Sequence, residues 1–314
     1  MAKKLTEILD IEHPVLMAPM FLVSNESMML AGLENGITAA FPAANYRTSE
    51  ALDDAIQSLK SKINKPFGVN IIANKSNRRY EAELNMCVKH NVDFIITSLG
   101  DPGKAIDMCH ESGIHVFCDV TDMDYAQKVV AQGADALIAV NKNAGGHPGK
   151  MDGKTFLSEL LANFDVPVIY AGGVSNCDVY KDIMSWGAAG VSVGTLFLAT
   201  RESPVSDEYK EALVKYGADD IVTTKKLSGA PLHVINTAYV QKTGLETNWL
   251  TRFLYRHKTL RRFLKGLAMK RGMHMLRRAA FDATYKSVWV AGCAIEDIHD
   301  IKTVKERVIE LTDC

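Results

Sequence analysis

The chain has 314 residues, 47% of them hydrophobic, and its 36 basic and 37 acidic residues give a formal net charge of −1. This composition is typical of a globular protein with a large core and argues against a disordered or fibrous chain. Because the N-terminus lacks the apolar segment of a signal peptide, and no apolar run approaches the roughly 18 residues of a transmembrane helix, we expect a cytoplasmic protein without stable membrane insertion.

The six cysteines are dispersed, at positions 87, 109, 118, 177, 293 and 314. They form no CxxC pair and no Cys/His set with the spacing of a zinc site. We therefore expect reduced structural thiols and no metal centre.

Short apolar runs alternate with helical patterns through the first two thirds of the chain. Eight such runs follow one another at intervals of roughly 20 to 30 residues, which favours parallel strands joined by crossover helices. They lie at residues 14–20, 37–41, 67–73, 94–98, 115–120, 136–140, 166–170 and 190–193. Eight strands close a (β/α)8 TIM barrel, an α/β fold.

A doubly wound sheet is the competing α/β architecture. It would normally carry a glycine-rich phosphate loop directly after its first strand. Here the first apolar run ends in Ala18-Pro-Met20, and the glycine pairs instead follow the sixth, seventh and eighth runs. The position of the glycines therefore favours the barrel.

Gly172-Gly173 follows the seventh run and Gly194-Thr195 follows the eighth. In barrels of this type the loops after strands seven and eight commonly hold phosphate groups at the catalytic face. Both loops offer backbone N–H groups, and Thr195 adds a hydroxyl, so the pattern predicts a phosphorylated ligand. The alternative is that these glycines serve only tight turns.

The loop after the sixth run reads Asn141-Lys-Asn-Ala-Gly-Gly-His-Pro-Gly-Lys150. Glycines let a backbone approach a ligand closely, and an imidazole transfers protons near neutral pH. We interpret His147 as a catalytic base beside a bound ligand. The other interpretation is a glycine-rich turn in which His147 only caps a neighbouring element.

Beyond residue 200 the regular alternation ends. We divide the chain into a barrel at 1–200, a mostly helical basic cap at 201–285, and a C-terminal segment at 286–314 whose helix returns to the barrel. Within the cap, 203–217 and 245–280 have helical patterns, whereas 221–240 is expected to be irregular.

The segment 249–281 contains ten lysines and arginines and no acidic residue. Removing these ten from the 36 basic residues leaves 26 against 37 acidic ones, so a cationic segment lies on an acidic body. The segment is interpreted as the solvated face of packed helices. Functional alternatives are contact with an acidic acyl-carrier protein, with a nucleotide or CoA phosphate, or with an anionic membrane surface. No nucleic-acid recognition motif accompanies it.

Several motifs, taken in order, resemble the nitronate monooxygenase (2-nitropropane dioxygenase) family of FMN-dependent barrels. Its relatives include FMN-dependent enoyl-ACP reductases and NAD(P)H:quinone reductases. The resemblance spans almost the whole chain. The matching motifs are Ala18-Pro-Met20, Phe67-Gly-Val-Asn70, Ala144-Gly-Gly-His-Pro-Gly149, Ala171-Gly-Gly-Val174, Val193-Gly-Thr-Leu-Phe197, Thr224-Lys-Lys-Leu-Ser-Gly229 with Asn236, and Ala291-Gly292 with Ile298-His-Asp-Ile301.

The resemblance implies FMN as cofactor and a small-molecule substrate. The FMN phosphate is expected between Gly173 and the Gly194-Thr195 pair, and His147 matches the family's catalytic base for nitronates or nitroalkanes. The complete set of expected cofactor-binding residues is Ala18, Pro19, Met20, Asn70, Gly145, Gly146, Gly172, Gly173, Val193, Gly194 and Thr195. For Asn70, a flavin edge and a backbone carbonyl are competing partners.

The sequence departs from the family pattern close to the expected flavin ring. Val140 stands where many members have Gln, Asn143 where they often have Glu, Pro148 where Arg is common, and Cys293 where Gln is common. Polar contacts to the ring, and hence its reactivity with oxygen, do not carry over from the family.

The resulting expectation is oxidation of nitronates or nitroalkanes by O2 through FMN. The alternative enzyme is an NAD(P)H-dependent FMN reductase of an enoyl thioester or a quinone. The non-enzyme alternative is a barrel that binds a phosphorylated ligand without catalysing a reaction. The sequence leaves open whether the chain forms a homodimer.

Overall fold

The computed structural model describes residues 3–74, 77–225, 230–245 and 288–313. The basic segment 249–281 lies outside these ranges, and its helical cap and its partners stay predictions. Cys177 is disulfide-bonded, whereas Cys87, Cys109, Cys118 and Cys293 are free thiols. The expectation of reduced thiols is therefore wrong at Cys177.

Eight parallel strands close into one barrel in the order β1 to β8. Val15 of the first strand pairs with Val191 of the last, which completes the ring. The strands are β1 (Val15–Met17), β2 (Thr38–Pro42), β3 (Phe67–Ile72), β4 (Phe94–Ser98), β5 (His115–Val120), β6 (Ala136–Val140), β7 (Val168–Ala171) and β8 (Gly190–Val193). The predicted (β/α)8 TIM barrel is confirmed, and a doubly wound sheet is excluded.

Helices alternate with the strands. Five of them begin after a polar side chain that accepts a hydrogen bond from the N–H group three residues further on: Asn25, Thr48, Asp122, Asp152 and Asn176. Such caps satisfy a donor that the helix itself leaves unpaired. The helices are α1 (Leu5–Leu9), α2 (Glu26–Glu34), α3 (Ser49–Lys62), α4 (Tyr80–Lys89), α5 (Gly103–His110), α6 (Met123–Ala131), α7 (Gly153–Asn163) and α8 (Cys177–Ser185).

The inside of the barrel is filled by its own apolar side chains. Phe94 and Phe117 stack with ring centroids 4.8 Å apart, and Gly68 leaves room for them, since an added Cβ there would lie 2.2 Å from the Phe94 ring. Leu5 and Leu9 of α1 close the end opposite the carboxyl ends of the strands. Because this end is plugged, the carboxyl-end face is the open end of the barrel, where ligands bind in this fold.

The chain after β8 adds further elements to the barrel. They are α9 (Thr195–Leu198), α10 (Asp207–Lys215), the antiparallel pair β9 (Ile221–Thr224) and β10 (Leu232–Ile235), α11 (Ala238–Thr243) and α12 (Val304–Thr312). The strands β9 and β10 fall within 221–240, which we expected to be irregular; their β-branched residues favour extended backbone. α12 packs against α2 and α8.

Arg307 anchors α12. Its side chain is 3% exposed and donates to Glu310 and to both the backbone and the side chain of Asp300.

Within the described part of the chain, no helix combines the length and the apolar character that a bilayer crossing requires. The division into barrel, cap and C-terminal segment stays a prediction, because most of the expected cap is not described.

Candidate active site

The loops after β6 and β7 are in direct contact. Gly172 has φ of +118°, and a Cβ added there would lie 2.5 Å from Asn141 Oδ1 and 2.6 Å from the backbone nitrogen of Ala144. The Asn141 side chain also donates to the carbonyl of Gly172 at 3.0 Å. Glycine at 172 is therefore required both by the backbone conformation and by the close approach of the two loops.

The loop after β8 meets the β6 loop and the C-terminal segment. The hydroxyl of Thr195 accepts a hydrogen bond from the N–H of Gly292 at 3.0 Å. A Cβ on Gly145 would lie 3.1 Å from the same hydroxyl and 2.9 Å from the Gly292 nitrogen. The N–H of Cys293 donates to Asn143 O at 3.1 Å. Three segments that are distant in sequence thus converge at Thr195.

His147 lies on the same loop, two residues after Gly145. The residue keeps an exposed surface, but the neighbouring groups displace enough water that burial lowers the pKa of its imidazole below the ordinary value. Desolvation has this effect because it penalises the charged form. The neutral, proton-accepting form is therefore favoured at neutral pH.

His233 of β10 holds this loop in place. Its backbone N–H donates to Gly146 O at 2.8 Å, and its Nδ1 lies 2.9 Å from Ala144 O. The sequence did not single out His233, because its contacts lie almost ninety positions away in the chain. The sequence does carry one signal for His233, since it is a polar residue flanked by apolar ones in a short run that contains β-branched residues.

The loop after β1 lies on the other side of Gly194. An added Cβ at Gly194 would be 3.6 Å from both Ala18 Cβ and Met20 Sδ, and Ala18 N donates to Val193 O at 2.9 Å. A Cβ at Gly146 would meet nothing within 4 Å in the described residues. The backbone at these glycines is thus approachable, as a bound planar ligand requires.

Asn70 projects into the barrel from β3 at the same face. Its Nδ2 donates to Ile96 O at 3.2 Å and to Ser98 Oγ at 2.7 Å, both on β4. Ser98 in turn donates to Asp119 Oδ2 on β5 at 2.5 Å. The backbone carbonyl considered as an alternative partner for Asn70 is therefore present, and it is that of Ile96. It engages only the amide nitrogen of Asn70 and not the side-chain oxygen.

Ser98 and Asp119 were missed by the sequence analysis. Asp119 keeps a small exposed surface, but the dense packing around its carboxyl raises the pKa to about 6, and the hydrogen bond from Ser98 opposes this only in part. A carboxyl with a raised pKa at the ligand-binding end of a barrel is a frequent feature of functional sites.

The residues present fit an FMN molecule. A phosphate group matches the convergent glycine loops with the Thr195 hydroxyl, whose proton is available to donate. A flat ring system matches the accessible glycine backbone between the β1 and β6 loops. The predicted roles of the individual residues stay predictions.

Known proteins resemble this chain over most of its length. The sequence matches the family model described as nitronate monooxygenase over residues 2–313. A 32% identical relative from Rhodococcus jostii, aligned over 75% of this chain, is named (3aS,4S,5R,7aS)-5-hydroxy-7a-methyl-1-oxo-octahydro-1H-indene-4-carboxyl-CoA dehydrogenase; the match covers 66% of that relative, just under two thirds.

Two further similarities cover more of the matched chain. A probable nitronate monooxygenase from Staphylococcus aureus is 23% identical over 76% of this chain and 79% of its own length. The structure of FabK from Thermotoga maritima superposes with a TM-score of 0.83 at 28% identity, covering 99% of this chain and 95% of FabK.

Proposed function

Since the chain belongs to the nitronate monooxygenase family, we propose that it is an FMN-dependent oxidoreductase that oxidises nitronates or nitroalkanes. When bound, FMN would supply the acceptor for the electrons that leave the substrate, with molecular oxygen as the final acceptor. The observation that carries the proposal is the convergence of the β6, β7 and β8 loops at Thr195, with His147 on the same face.

The glycine loops hold the phosphate end of the cofactor. Gly173 and Gly194 offer backbone N–H groups, and Thr195 donates its hydroxyl proton while accepting from Gly292. The residues proposed to contact the remainder of FMN are Ala18, Pro19, Met20, Asn70, Gly145, Gly146, Gly172 and Val193. Among these, Asn70 presents its side-chain oxygen, because its amide nitrogen is already engaged by β4.

His147 handles the substrate proton. A nitroalkane has an acidic C–H next to its nitro group, and a neutral imidazole within reach can remove that proton or orient the nitronate. The lowered pKa of His147 keeps the imidazole neutral at physiological pH. The nearby glycines leave its loop backbone accessible, so the substrate and the ring can lie side by side.

The second candidate substrate is an acyl-CoA or another acyl thioester. The enzyme would then be a reductase that takes its electrons from NAD(P)H. The Rhodococcus relative, named as a carboxyl-CoA dehydrogenase, is more similar in sequence than the named nitronate monooxygenase. In this reduction the proton would move in the opposite direction, onto the carbon next to the thioester carbonyl, and His147 would be the group that delivers it. A CoA or acyl-carrier partner would suit the basic segment 249–281.

Flavin bleaching separates these functions. The purified protein is expected to be yellow and to retain FMN through gel filtration. Under anaerobic conditions, a nitronate should bleach the flavin and admission of air should restore its colour. Rapid bleaching by NADH or NADPH, followed by reoxidation with an enoyl thioester or a quinone and not with a nitronate, would establish the reductase instead. A colourless protein that cannot be reconstituted with FMN would leave only a phospho-ligand-binding barrel.

A further inference from the structure

Three polar side chains on consecutive strands form one hydrogen-bonded chain inside the barrel. Asn70 of β3 donates to Ser98 of β4 at 2.7 Å, and Ser98 donates to Asp119 of β5 at 2.5 Å. The backbone register places Asn70 of β3 opposite Ile96 of β4, and the Asn70 side chain reaches diagonally to Ser98, two residues further along the same face of β4. Phe94, Ile96 and Phe117 of the interior apolar cluster lie on the same two strands, β4 and β5, next to this polar chain.

The direction of these hydrogen bonds fixes the orientation of Asn70. The carbonyl of Ile96 can only accept, so the nitrogen of the Asn70 amide must face β4. Ser98 accepts from this nitrogen, and its single proton goes to Asp119. Both N–H groups of Asn70 are thereby consumed within the wall of the barrel, and its Oδ1 is left as an acceptor.

Asp119 is the terminus of this chain, and its charge is poorly compensated. The hydroxyl of Ser98 stabilises the carboxylate, whereas burial disfavours it. The other titratable groups near Asp119 are the Cys118 thiol, which lies on the outer face of the same strand, and the Tyr125 phenol on α6, and both have pKa values raised to about 12. These neighbours are neutral near pH 7 and supply no positive charge to the carboxylate.

We propose that Asp119 is a positioning residue of the cofactor site. Through Ser98 it holds Asn70 with the side-chain oxygen toward the flavin, and its carboxyl group sets the reduction potential of bound FMN. The inference rests on the proposed FMN-dependent function and assigns a role within the same site to two residues that the family motifs do not include.

The sign of the effect follows from electrostatics. A carboxylate near the flavin opposes the arrival of electrons, because like charges repel more strongly where the dielectric constant is low. An ionised Asp119 therefore lowers the reduction potential. Protonation removes the charge, so the effect should be strong above the pKa of Asp119 and weak below it.

The matched variant is Asp119→Asn. Its side-chain oxygen can still accept the Ser98 proton, while the charge is lost. At pH 8 the variant should bind FMN and shift its oxidised–reduced equilibrium toward reduction at least tenfold, which is about 30 mV for a two-electron couple. At pH 5 the difference from wild type should shrink severalfold. Asp124→Asn, which removes the same charge from the exposed face of α6, should match wild type at both pH values.

The positioning role has its own measurement. Ser98→Ala removes the link between Asn70 and Asp119, and should weaken FMN binding to the apoprotein about fivefold or more. Ser98→Thr keeps the hydroxyl and should restore most of the affinity. If Asp119→Asn fails to fold, the two Ser98 variants still test whether the link between Asn70 and Asp119 positions Asn70 for FMN.

The outcomes distinguish the two proposals. If wild type binds FMN and bleaches with substrate, but the potential of Asp119→Asn equals that of wild type at pH 8, the role of Asp119 is overturned and the proposed function stands. If Ser98→Ala binds FMN as tightly as wild type does, the positioning role is overturned in the same way. If wild type binds no FMN, both proposals fail together.

Discussion

Nδ1 of His233 lies 2.9 Å from the carbonyl oxygen of Ala144, so the β10 strand holds the loop that carries His147. A carbonyl accepts and never donates, which means that Nδ1 carries the proton and the ring is fixed in one neutral tautomer. The main-chain N–H of the same residue donates to Gly146 O at 2.8 Å. Gly145 is thereby held between two hydrogen bonds, and His147 directly follows Gly146, the second of the two bonded residues.

Replacing His233 with Ala should loosen the loop that carries His147, the proposed base. The main-chain bond to Gly146 remains, but the carbonyl of Ala144 loses its side-chain donor, at a cost of about 1 kcal/mol in unfolding free energy. We expect kcat/KM to fall roughly tenfold, because small displacements of a catalytic group are costly. Steady-state kinetics and urea denaturation measure the two effects.

His233→Asn provides the control, since the amide nitrogen of Asn occupies nearly the same place as Nδ1 of His. It should recover most of the lost rate. Equal rates in His233→Ala and wild type would show that the hydrogen bond to Ala144 does not position His147.

Thr195→Val should weaken both the fold and the proposed cofactor site. The buried N–H of Gly292 would lose the Thr195 hydroxyl that accepts its hydrogen bond, and an unsatisfied buried donor costs about 1 to 3 kcal/mol. The hydroxyl that we assign to the FMN phosphate would also be missing. We expect a lower unfolding midpoint in the apoprotein and a Kd for FMN that is at least tenfold higher.

Thr195→Ser retains the hydroxyl and should restore both properties. If Thr195→Val destabilises the apoprotein and yet binds FMN as tightly as Thr195→Ser, the phosphate does not contact this hydroxyl.

Gly172→Ala separates strain from steric overlap when it is compared with Gly113→Ala. Both glycines have positive φ, +118° at 172 and +72° at 113, so each substitution strains the backbone by about 1 to 3 kcal/mol. An added Cβ at 113 meets nothing within 4 Å, whereas at 172 it meets Asn141 Oδ1 at 2.5 Å. Gly172→Ala should therefore be the more destabilising and should also release FMN, while Gly113→Ala retains it. Equal losses of stability, with FMN kept in both variants, would contradict the close loop contact.

The barrel could be predicted from the sequence because parallel strands that are covered on both faces are nearly continuous apolar runs. β4, β5 and β6 have the predicted bounds, 94–98, 115–120 and 136–140. Thr48 caps the helix α3, and a polar cap before a helical pattern is likewise a signal that is local in the sequence.

The polar chain through Ser98 and Asp119 could not be predicted in the same way. Each of these residues ends, or nearly ends, an apolar run and looks like the start of a loop. Only closure of the sheet brings them next to Asn70, and the register of that closure is not encoded locally. The usable signal is the spacing along each strand. Asn70 stands two residues after Gly68 on β3, and Asp119 stands two residues after Phe117 on β5. Each polar side chain therefore shares the inward face of its strand.

The pH dependence of turnover tests His147 as the base. Burial lowers the pKa of His147 below its ordinary value of 6.5, and a base works only when it is deprotonated. Activity should therefore be retained as the pH falls to 6.5, and the acid limb of kcat/KM in the free enzyme should lie below that value.

His147→Ala should slow turnover by roughly 10² or more and abolish this limb while FMN stays bound. His13→Ala is the matched control, because His13 precedes β1 at the opposite end of the barrel, and its profile should superpose on that of wild type. An acid limb that persists unchanged in His147→Ala would assign the proton transfer to another group of the site.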